Sequence, residues 1–520
     1  MCYETWGVTN TITGKLQTSV NRCLRHILNI TWPEKISNAD LWKRTNQKPI
    51  SQDVKKRTTL DLCMYIQAFM FYKTEHLPTT EGVAVLDLQP DDSQLMFKVQ
   101  LRSRWQLSTL LGDMTSSSKP KHKGSHLPFW KAGSGYYGDT LGQTISGNVS
   151  SSEPLILSLL DTIPVHQGQV FTIGDYGTND GHSSMSVISS MISQLREKHG
   201  ESLPIQIVYE DQERNDFNSL FRRLSEETSY MSKFSNVYPL ATNVNFYKQC
   251  VPDGSCDIIL TCNATNWLEK LDMQFKDTCM PSLASEEEQG RFNREADRDW
   301  TKFLRLRARE LKPGGLLIVL HLASSDDSKA SSIARDATPK SSRESTLQEK
   351  DKLVKFTISD IGTTVVDPLL DFDAAWKQLR EEGVISQEEY GDCNVASALR
   401  TATQLTSPFM EENSPVREAG LSLIHNDQLL APCAIKRLWL KKLLEEGVDD
   451  RDSFSQSLMT AHRVWNQTSF ASSLSDMRSA EEKAAILDKL YQTMMKRVAA
   501  RDPRSYKCDY IVGRLVARKE

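Results

Sequence analysis

The residues of this chain best suited to chemistry form a glycine-rich turn. The turn is the stretch GDYGTNDG at 174–181, which follows an apolar run and precedes a predicted helix. Gly177 and Gly181 allow the backbone to turn tightly and to approach a ligand closely. Asp175 lies where the strand ends and can accept a hydrogen bond from a cationic or amino-bearing ligand. By itself the turn is compatible with a plain structural turn as well as with a nucleotide-like ligand.

A second acidic position follows the next predicted strand. That strand ends in Glu210 and Asp211, about where a dinucleotide-binding sheet presents a carboxylate to ribose hydroxyls. The turn reads Asp-x-Gly-x-x-x-Gly instead of the Gly-x-Gly-x-x-Gly of a pyrophosphate cradle, and Asp175 would repel a phosphate. S-adenosylmethionine carries a cationic sulfonium and an amino-acid moiety but no phosphate, so it fits this acidic lining better.

Alternating strands and helices position these residues. The predicted strands are 170–173, 204–209, 256–261, 316–322 and 510–517. The predicted helices are 183–197, 216–224, 299–311, 374–382, 431–446 and 481–499. Such alternation predicts an α/β fold with a parallel, doubly wound sheet.

Composition excludes several classes of protein. With 39% hydrophobic and 25% charged residues the chain is not wholly disordered, and its 520 residues predict about three domains. A net charge of −4 excludes a surface that binds nucleic acid throughout. The run 316–323 is far shorter than the ~20 apolar residues of a membrane span, and the first ten residues do not resemble a signal peptide.

The ten cysteines show no CxxC pair, which indicates reduced thiols and a cytoplasmic location. Cys250, Cys256 and Cys262 recur at equal spacing, but no histidine lies nearby to complete a zinc site. We therefore predict no metal and read these residues as ordinary strand and loop cysteines.

Several motifs in order give most of the chain a family resemblance. VYEDQERNDFNSLFRRL (208–224) is similar to the signature NDLPxNDFNxLF, and GDYGTNDG lies where the same family has ADLGCSSG. DWTKFLRLRARELKPGGLLIVL (299–320) matches DFxxFLxxRAxELxPGGxMVL, and segments 245–268 and 375–395 also correspond. On these motifs, residues 130–520 resemble the SABATH family of S-adenosylmethionine-dependent carboxyl methyltransferases.

The resemblance implies a Rossmann-like class I methyltransferase sheet with a mainly helical cap. It also implies transfer of a methyl group from S-adenosylmethionine to a small-molecule carboxylate, and it favours a homodimer. Implied cofactor-binding residues are Tyr137, Asp175, Gly177, Gly181, Asp211, Gln212, Asn245 and Phe246. Trp267 would donate its indole N–H to the substrate carboxylate. The implied substrate-binding residues are Gln143 (with Thr144 as the alternative), Asn263, Asn266 and Trp267.

Departures from the family pattern leave the substrate open. Asn263 stands where the family has an aromatic residue of the substrate pocket, and Asn266 stands where it has His or Met. These changes motivate an alternative, a catalytically silent methyltransferase-like protein that binds cofactor or a partner.

The first 60 residues stand apart, because basic residues outnumber acidic ones there. Residues 1–57 resemble the C-terminal tail of a non-LTR retrotransposon reverse transcriptase, and no polymerase carboxylate pair accompanies them. We expect this segment to be non-catalytic. A solvated basic helix face and a nucleic-acid-binding arm are the alternatives for it, and apart from such an arm no nucleic-acid partner is expected.

These readings predict the domain organisation. The predicted parts are 1–60, the reverse-transcriptase-like segment; 61–125, an unassigned region and linker; 126–323, the methyltransferase core; 324–350, a mobile loop; and 351–520, the helical cap with the remaining core strands.

Overall fold

The computed structural model describes residues 130–166, 168–326 and 363–520, with Ser37 and Asp40 besides, and leaves the side chains of 143–146 undescribed. The chain divides into two units, 1–117 and 118–520, and the description below concerns the second. Apart from Ser37 and Asp40, the predictions for 1–60 and 61–125 lie outside the described residues. So does most of the predicted loop 324–350.

A seven-stranded sheet organises the described residues, in the order β3-β2-β1-β4-β5-β7-β6. Its strands are β1 Phe171–Tyr176, β2 Ile205–Glu210, β3 Val237–Thr242, β4 Cys256–Cys262, β5 Leu311–Leu322, β6 Leu421–Ala431 and β7 Tyr510–Lys519. Strands β1 to β5 pair in parallel, while β7 is antiparallel to both β5 and β6. The predicted Rossmann-like α/β class is confirmed, although the sheet is mixed and not wholly parallel.

Helices pack on the sheet and beyond its edge. They are α1 Tyr136–Ser150, α2 Glu153–Leu160, α3 Met185–His199, α4 Phe217–Leu224, α5 Glu286–Glu310, α6 Val366–Glu381, α7 Gln387–Asp392, α8 Ala402–Met410, α9 Pro415–Glu418, α10 Ala434–Glu446, α11 Arg451–Ser473 and α12 Ala480–Ala499. Among the helices of the described ranges, none has the length and the low charge that crossing a bilayer requires.

Burial explains why the central strands could be predicted from the sequence. Every residue of β1 is buried, because helices cover both faces of a parallel sheet. Strand β3 lies at the sheet edge with Tyr238 55% and Leu240 50% exposed, so it lacks a continuous buried run and was not predicted. Helix α5 begins earlier than predicted because Ser285 and Glu288 form a capping box at its start.

The helical part has an aromatic core of its own. The rings of Phe372 and Phe470 stack with centroids 5.7 Å apart, and Trp376 lies 5.0 Å from Phe470. Helices α6, α11 and α12 meet at this cluster, since Tyr491 contacts Phe372 edge to face. The cluster continues into the hydrophobic core that covers one face of the sheet.

Candidate active site

The glycine-rich turn follows β1 and has a backbone that few residues could adopt. Gly177 has φ of +72°, and a Cβ built on it would lie 2.2 Å from Cβ of Ala264. Both the conformation and the contact require glycine here. The amides of Gly177 and Thr178 donate to the carbonyl of Glu210 at 2.9 and 3.0 Å. The turn is therefore fixed to the end of β2.

Two carboxylates lie at the carboxyl ends of β1 and β2, which are neighbouring strands. Asp175 is 2% exposed, and the hydroxyl of Ser184 donates to its Oδ2 at 2.6 Å. Asp211 accepts backbone N–H groups from Asn179 at 2.7 Å and from Gln212 at 2.8 Å. Burial raises the pKa of Asp175 and that of Asp211 to about 6 each. Among the described residues, no Lys or Arg side chain forms an ion pair with Asp175 or Asp211, so both carboxylates lack a counter-charge in direct contact.

A loop after β3 covers the same edge of the sheet. The Oδ1 of Asn245 accepts the amide of Tyr247 at 2.9 Å and shapes a turn that presents Phe246. The Phe246 ring lies 3.8 Å from the position that a Cβ on Gly177 would take. Arg307 of α5 donates to the Phe246 carbonyl at 2.8 Å and holds this loop in place.

Arg307 is itself fully buried, and its charge is compensated. It forms an ion pair with Glu310 at 2.8 Å, and neither side chain is exposed. The phenol of Tyr176 also donates to Glu310 at 2.9 Å. This network connects the end of β1 to α5, so the loop that carries Phe246 is held by a buried arginine whose charge is paired.

A cavity of about 400 Å³ lies next to the strand ends. Predicted site residues that line it are Tyr137, Asn263, Asn266 and Trp267. Apolar side chains supply much of the remaining wall, among them Leu141, Met280, Phe292, Leu369 and Trp465. A mainly apolar cavity of this volume with a few polar groups is typical of a small-molecule site.

The segment 263–267 connects the cavity to the glycine-rich turn. Ala264 packs against Gly177, whereas Asn263, Asn266 and Trp267 line the cavity. Asn263 has φ of +57°, which asparagine tolerates better than an aromatic residue. Within the described part of the chain, neither polar atom of its buried side-chain amide has a hydrogen-bond partner. Asn266 donates to the hydroxyl of Ser397 at 2.9 Å.

The backbone of Trp267 is fixed at several points. Its N–H donates to the Ala264 carbonyl at 3.1 Å, and its own carbonyl accepts the phenol of Tyr247 at 2.6 Å. It also pairs with Ser397 in an antiparallel bridge. The indole lies 6.3 Å from the ring of Trp465, so its position on the cavity wall is set by both cap and core.

Tyr137, in the first turn of α1, lies between the cavity and the acidic residues at the strand ends. It lines the cavity, and burial together with the charges of Asp180 and Asp211 raises the pKa of its phenol. Gly181 has φ of +74° and packs against Leu220, which gives it a role in shaping the turn. Gln212 is half-buried beside Asp211, and Gln143 lies on α1 with its side chain outside the description.

Arg400 is a site residue that the sequence did not reveal. It is 2% exposed and lines the cavity, and its guanidinium donates to the carbonyls of Thr265 at 2.9 Å and Ala296 at 2.8 Å. It thereby joins the segment 263–267 to α5. His321 is fully buried and hydrogen-bonded to Thr265 at 2.9 Å, so it is a hydrogen-bonded histidine of the core.

Comparisons with known proteins give the family. A model of SAM-dependent carboxyl methyltransferases matches residues 147–414. Gibberellic acid methyltransferase 1 of Arabidopsis thaliana is 23% identical over 280 residues, which cover 50% of this chain and 67% of that protein. Indole-3-acetate O-methyltransferase 1 of Oryza sativa subsp. japonica is 26% identical over 190 residues, 31% of this chain and 47% of that protein.

The matched part spans about half to two thirds of these relatives. A solved structure of loganic acid methyltransferase with SAH has the same fold, with a TM-score of 0.54, 15% identity, and coverage of 76% of this chain and 99% of that one. The chain belongs to the family of SAM-dependent carboxyl methyltransferases, the SABATH family that its motifs resemble.

Proposed function

We propose that this chain transfers the methyl group of S-adenosylmethionine to the carboxylate of a small molecule and releases a methyl ester. One observation carries the proposal beyond family membership. The segment 263–267 packs Ala264 against the glycine-rich turn and presents Asn263, Asn266 and Trp267 to the cavity. A cofactor at the strand ends and an acceptor in the cavity would therefore meet at this segment.

The residues at the strand ends fit S-adenosylmethionine. A buried carboxylate without a cation, Asp175, is costly unless a ligand supplies positive charge, and the amino-acid end of the cofactor does so. Each oxygen of Asp211 accepts one backbone N–H and keeps a lone pair for a ribose hydroxyl. Gln212, Asn245 and Phe246 would surround the adenine. When bound, the cofactor supplies an electrophilic methyl group.

The chain's own contribution is positioning. A carboxylic acid with an ordinary pKa near ~4 is ionised at pH 7, so no general base is required. Trp267 would donate its indole N–H to the acceptor carboxylate and orient one oxygen toward the methyl group. The apolar cavity wall excludes water, which makes that hydrogen bond worth more than it is in solution. Orientation of this kind is worth up to about 7–11 kcal/mol of a reaction barrier.

The cavity also indicates the kind of acceptor. Its apolar lining and volume of about 400 Å³ suit a largely hydrophobic acid. Asn263 and Asn266, together with Gln143 or Thr144 of α1, would bind polar atoms of that acid. Two relatives carry gibberellic acid and indole-3-acetate in their names, and acids of this apolar, ring-containing class are the first to test.

Calorimetry with S-adenosylhomocysteine tests the cofactor site. We expect binding by the full chain and at least about a tenfold loss in Asp211→Ala, the usual scale for removing a charge-assisted hydrogen bond. Asp253→Ala, at an exposed acid remote from the cavity lining, is the matched control and should bind as the wild type does. Absence of binding by the folded wild type would refute the proposal.

A radiolabel-transfer assay over a panel of apolar carboxylic acids tests the reaction. Trp267→Phe should lower methyl transfer while S-adenosylhomocysteine binding persists, because in our proposal the indole N–H orients the acceptor and does not bind the cofactor. Binding without transfer to any acid would favour the catalytically silent alternative.

The proposal also includes a homodimer and a cytoplasmic location. Sedimentation of the purified chain would test the homodimer, and imaging of the tagged chain would test the location.

A further inference from the structure

Arg223 of α4 is a buried cation that reaches into the glycine-rich turn. Its side chain is 8% exposed and that of Asp180 is 2% exposed. The guanidinium donates to Oδ2 of Asp180 from Nε at 3.1 Å and from Nη2 at 3.0 Å. Asp180 lies between Gly177 and Gly181, so this ion pair holds the turn on which the proposed cofactor site depends.

The same guanidinium also holds α1. Its Nη2 donates to the carboxylate of Asp139 at 2.8 Å and to the carbonyl of Gly135 at 3.1 Å. The amide of Gly138 donates to Oδ2 of Asp180 at 2.9 Å, the oxygen that Arg223 also contacts. Three segments of the chain, α1, the turn and α4, are thus joined at one buried charge pair.

Helix α1 contributes to the cavity as well. Tyr137 and Leu141 on this helix line the cavity wall, and the charges of Asp180 and Asp211 act on the Tyr137 phenol. A contact that fixes the first turn of α1 therefore also fixes part of the cavity wall and the position of Tyr137 beside the strand ends.

Two details show that the contact is built into this chain. Asp180 stands where the family motif ADLGCSSG has a serine, so the ion pair does not belong to the motif. At Gly138 an added Cβ would lie 2.6 Å from Nη2 of Arg223 and 2.8 Å from Oδ2 of Asp180. Only glycine allows the helix to approach the charge pair this closely.

We propose that Arg223 is a positioning residue that fastens the first turn of α1 to the cofactor turn, and so couples cofactor binding to acceptor binding. Asp180 and Gly138 are its partners in this role. Without the guanidinium, Asp180 would remain buried without a counter-charge, and the start of α1 would lose two hydrogen bonds, those to Asp139 and to the Gly135 carbonyl. The coupling between cofactor binding and acceptor binding rests on the proposed function. The attachment of α1 to the turn is independent of that function.

Hydrogen exchange of the unliganded full chain tests the attachment. Arg223→Met should raise exchange in the first turn of α1, residues 136–141, by at least about tenfold. Gly138→Ala should do the same through steric displacement alone, although alanine favours a helix. The controls are Arg305→Met, at an exposed arginine of α5, and Gly147→Ala, in α1 with open space around its Cβ. Unchanged exchange in a folded Arg223→Met variant would overturn the proposal, whatever the result for Gly138→Ala.

Binding and kinetics then test the coupling. In Arg223→Met we expect the dissociation constant of S-adenosylhomocysteine and the KM of the acceptor to rise about tenfold, with kcat changed much less. Arg223→Lys should recover part of both. Asp180→Asn should raise the dissociation constant and the KM little further when it is added to Arg223→Met, because the two residues act through one ion pair. Additive effects, or a fall in kcat alone, would overturn the coupling.

If the wild type binds no S-adenosylhomocysteine, the proposed function fails while the exchange experiment still decides the attachment of α1. The two failures are therefore distinguishable. A variant that does not fold is replaced by Gly138→Ala, which changes no charge and adds a single methyl group.

Discussion

Asp175→Asn should stabilise the protein in the absence of cofactor, and the gain should grow with pH. Burial raises the pKa of Asp175 from 3.8 to about 6. A carboxyl whose pKa is raised by folding binds its proton more tightly in the folded state, so its contribution to stability falls as the pH rises from about 4 to about 6. Above that range the folded protein holds an unfavourable buried charge, which asparagine removes.

The size of the effect follows from the two pKa values. A shift of about two units, at about 1.4 kcal/mol per unit, costs the folded state about 3 kcal/mol at pH 7.5 and only about 1 kcal/mol at pH 4.5. The Ser184 hydroxyl, which donates to Asp175 at 2.6 Å, can donate to the asparagine carbonyl in the same way. We therefore expect the free energy of unfolding to rise by about 2–3 kcal/mol at pH 7.5.

Urea unfolding of the unliganded chain at pH 4.5 and pH 7.5, followed by tryptophan fluorescence, measures this difference. Asp253→Asn is the control, because its exposed carboxylate accepts hydrogen bonds from Gln249 and Arg309 that lower its pKa, and its replacement should give no gain. An equal gain at both pH values, or no gain at pH 7.5, would refute the reasoning. S-adenosylhomocysteine binding should weaken in the same variant.

Two further substitutions probe the turn and the segment beside it. Gly177→Ala should abolish S-adenosylhomocysteine binding and destabilise the fold by about 2–4 kcal/mol, because it combines positive φ with a 2.2 Å clash. The control is Gly254→Ala, because Gly254 has φ of +61° but open space around its Cβ. For this variant, urea unfolding should show a smaller loss of stability and calorimetry should show normal binding. Arg400→Met should raise the acceptor KM in steady-state kinetics and leave S-adenosylhomocysteine affinity nearly unchanged in calorimetry, because the guanidinium lines the cavity whereas Asp175 and Asp211 do not.

Much of the fold was readable because its central strands are continuous apolar runs. Strands β1, β2, β4 and β5 carry the motifs, and each was predicted near its observed position. Strand β6 was missed because most of its residues are half-buried, so it has neither a buried run nor a clear alternation. Helix α1 was missed because glycines and polar residues interrupt its apolar positions.

The arginines of the site were missed for a different reason. Arg223 and Asp180 are 43 positions apart, and Arg400 lies 135 positions from Thr265. Local periodicity carries no information about such pairs. A signal for Arg223 does exist, since it occupies the face of α4 that Leu220 and Leu224 bury, and a charge on such a face needs a partner. Asp180, in place of a motif serine, was the partner to look for.

Several features that cost the fold stability lie near one edge of the sheet. Asp175 and Asp211 hold raised pKa values without a cation, while Gly177 and Asn263 require positive φ. Arg307 is equally buried, but its charge is paired with Glu310, and it donates to the backbone carbonyls of Phe246 and Lys248. A folded chain retains uncompensated charge and strained backbone where a ligand offsets them, and satisfies such groups elsewhere. That contrast, more than any single residue, supports our proposal that the cofactor binds at the carboxyl ends of β1 and β2. For the same reason we expect the single variant Asp175→Asn to be more stable than the wild type and to bind S-adenosylhomocysteine more weakly.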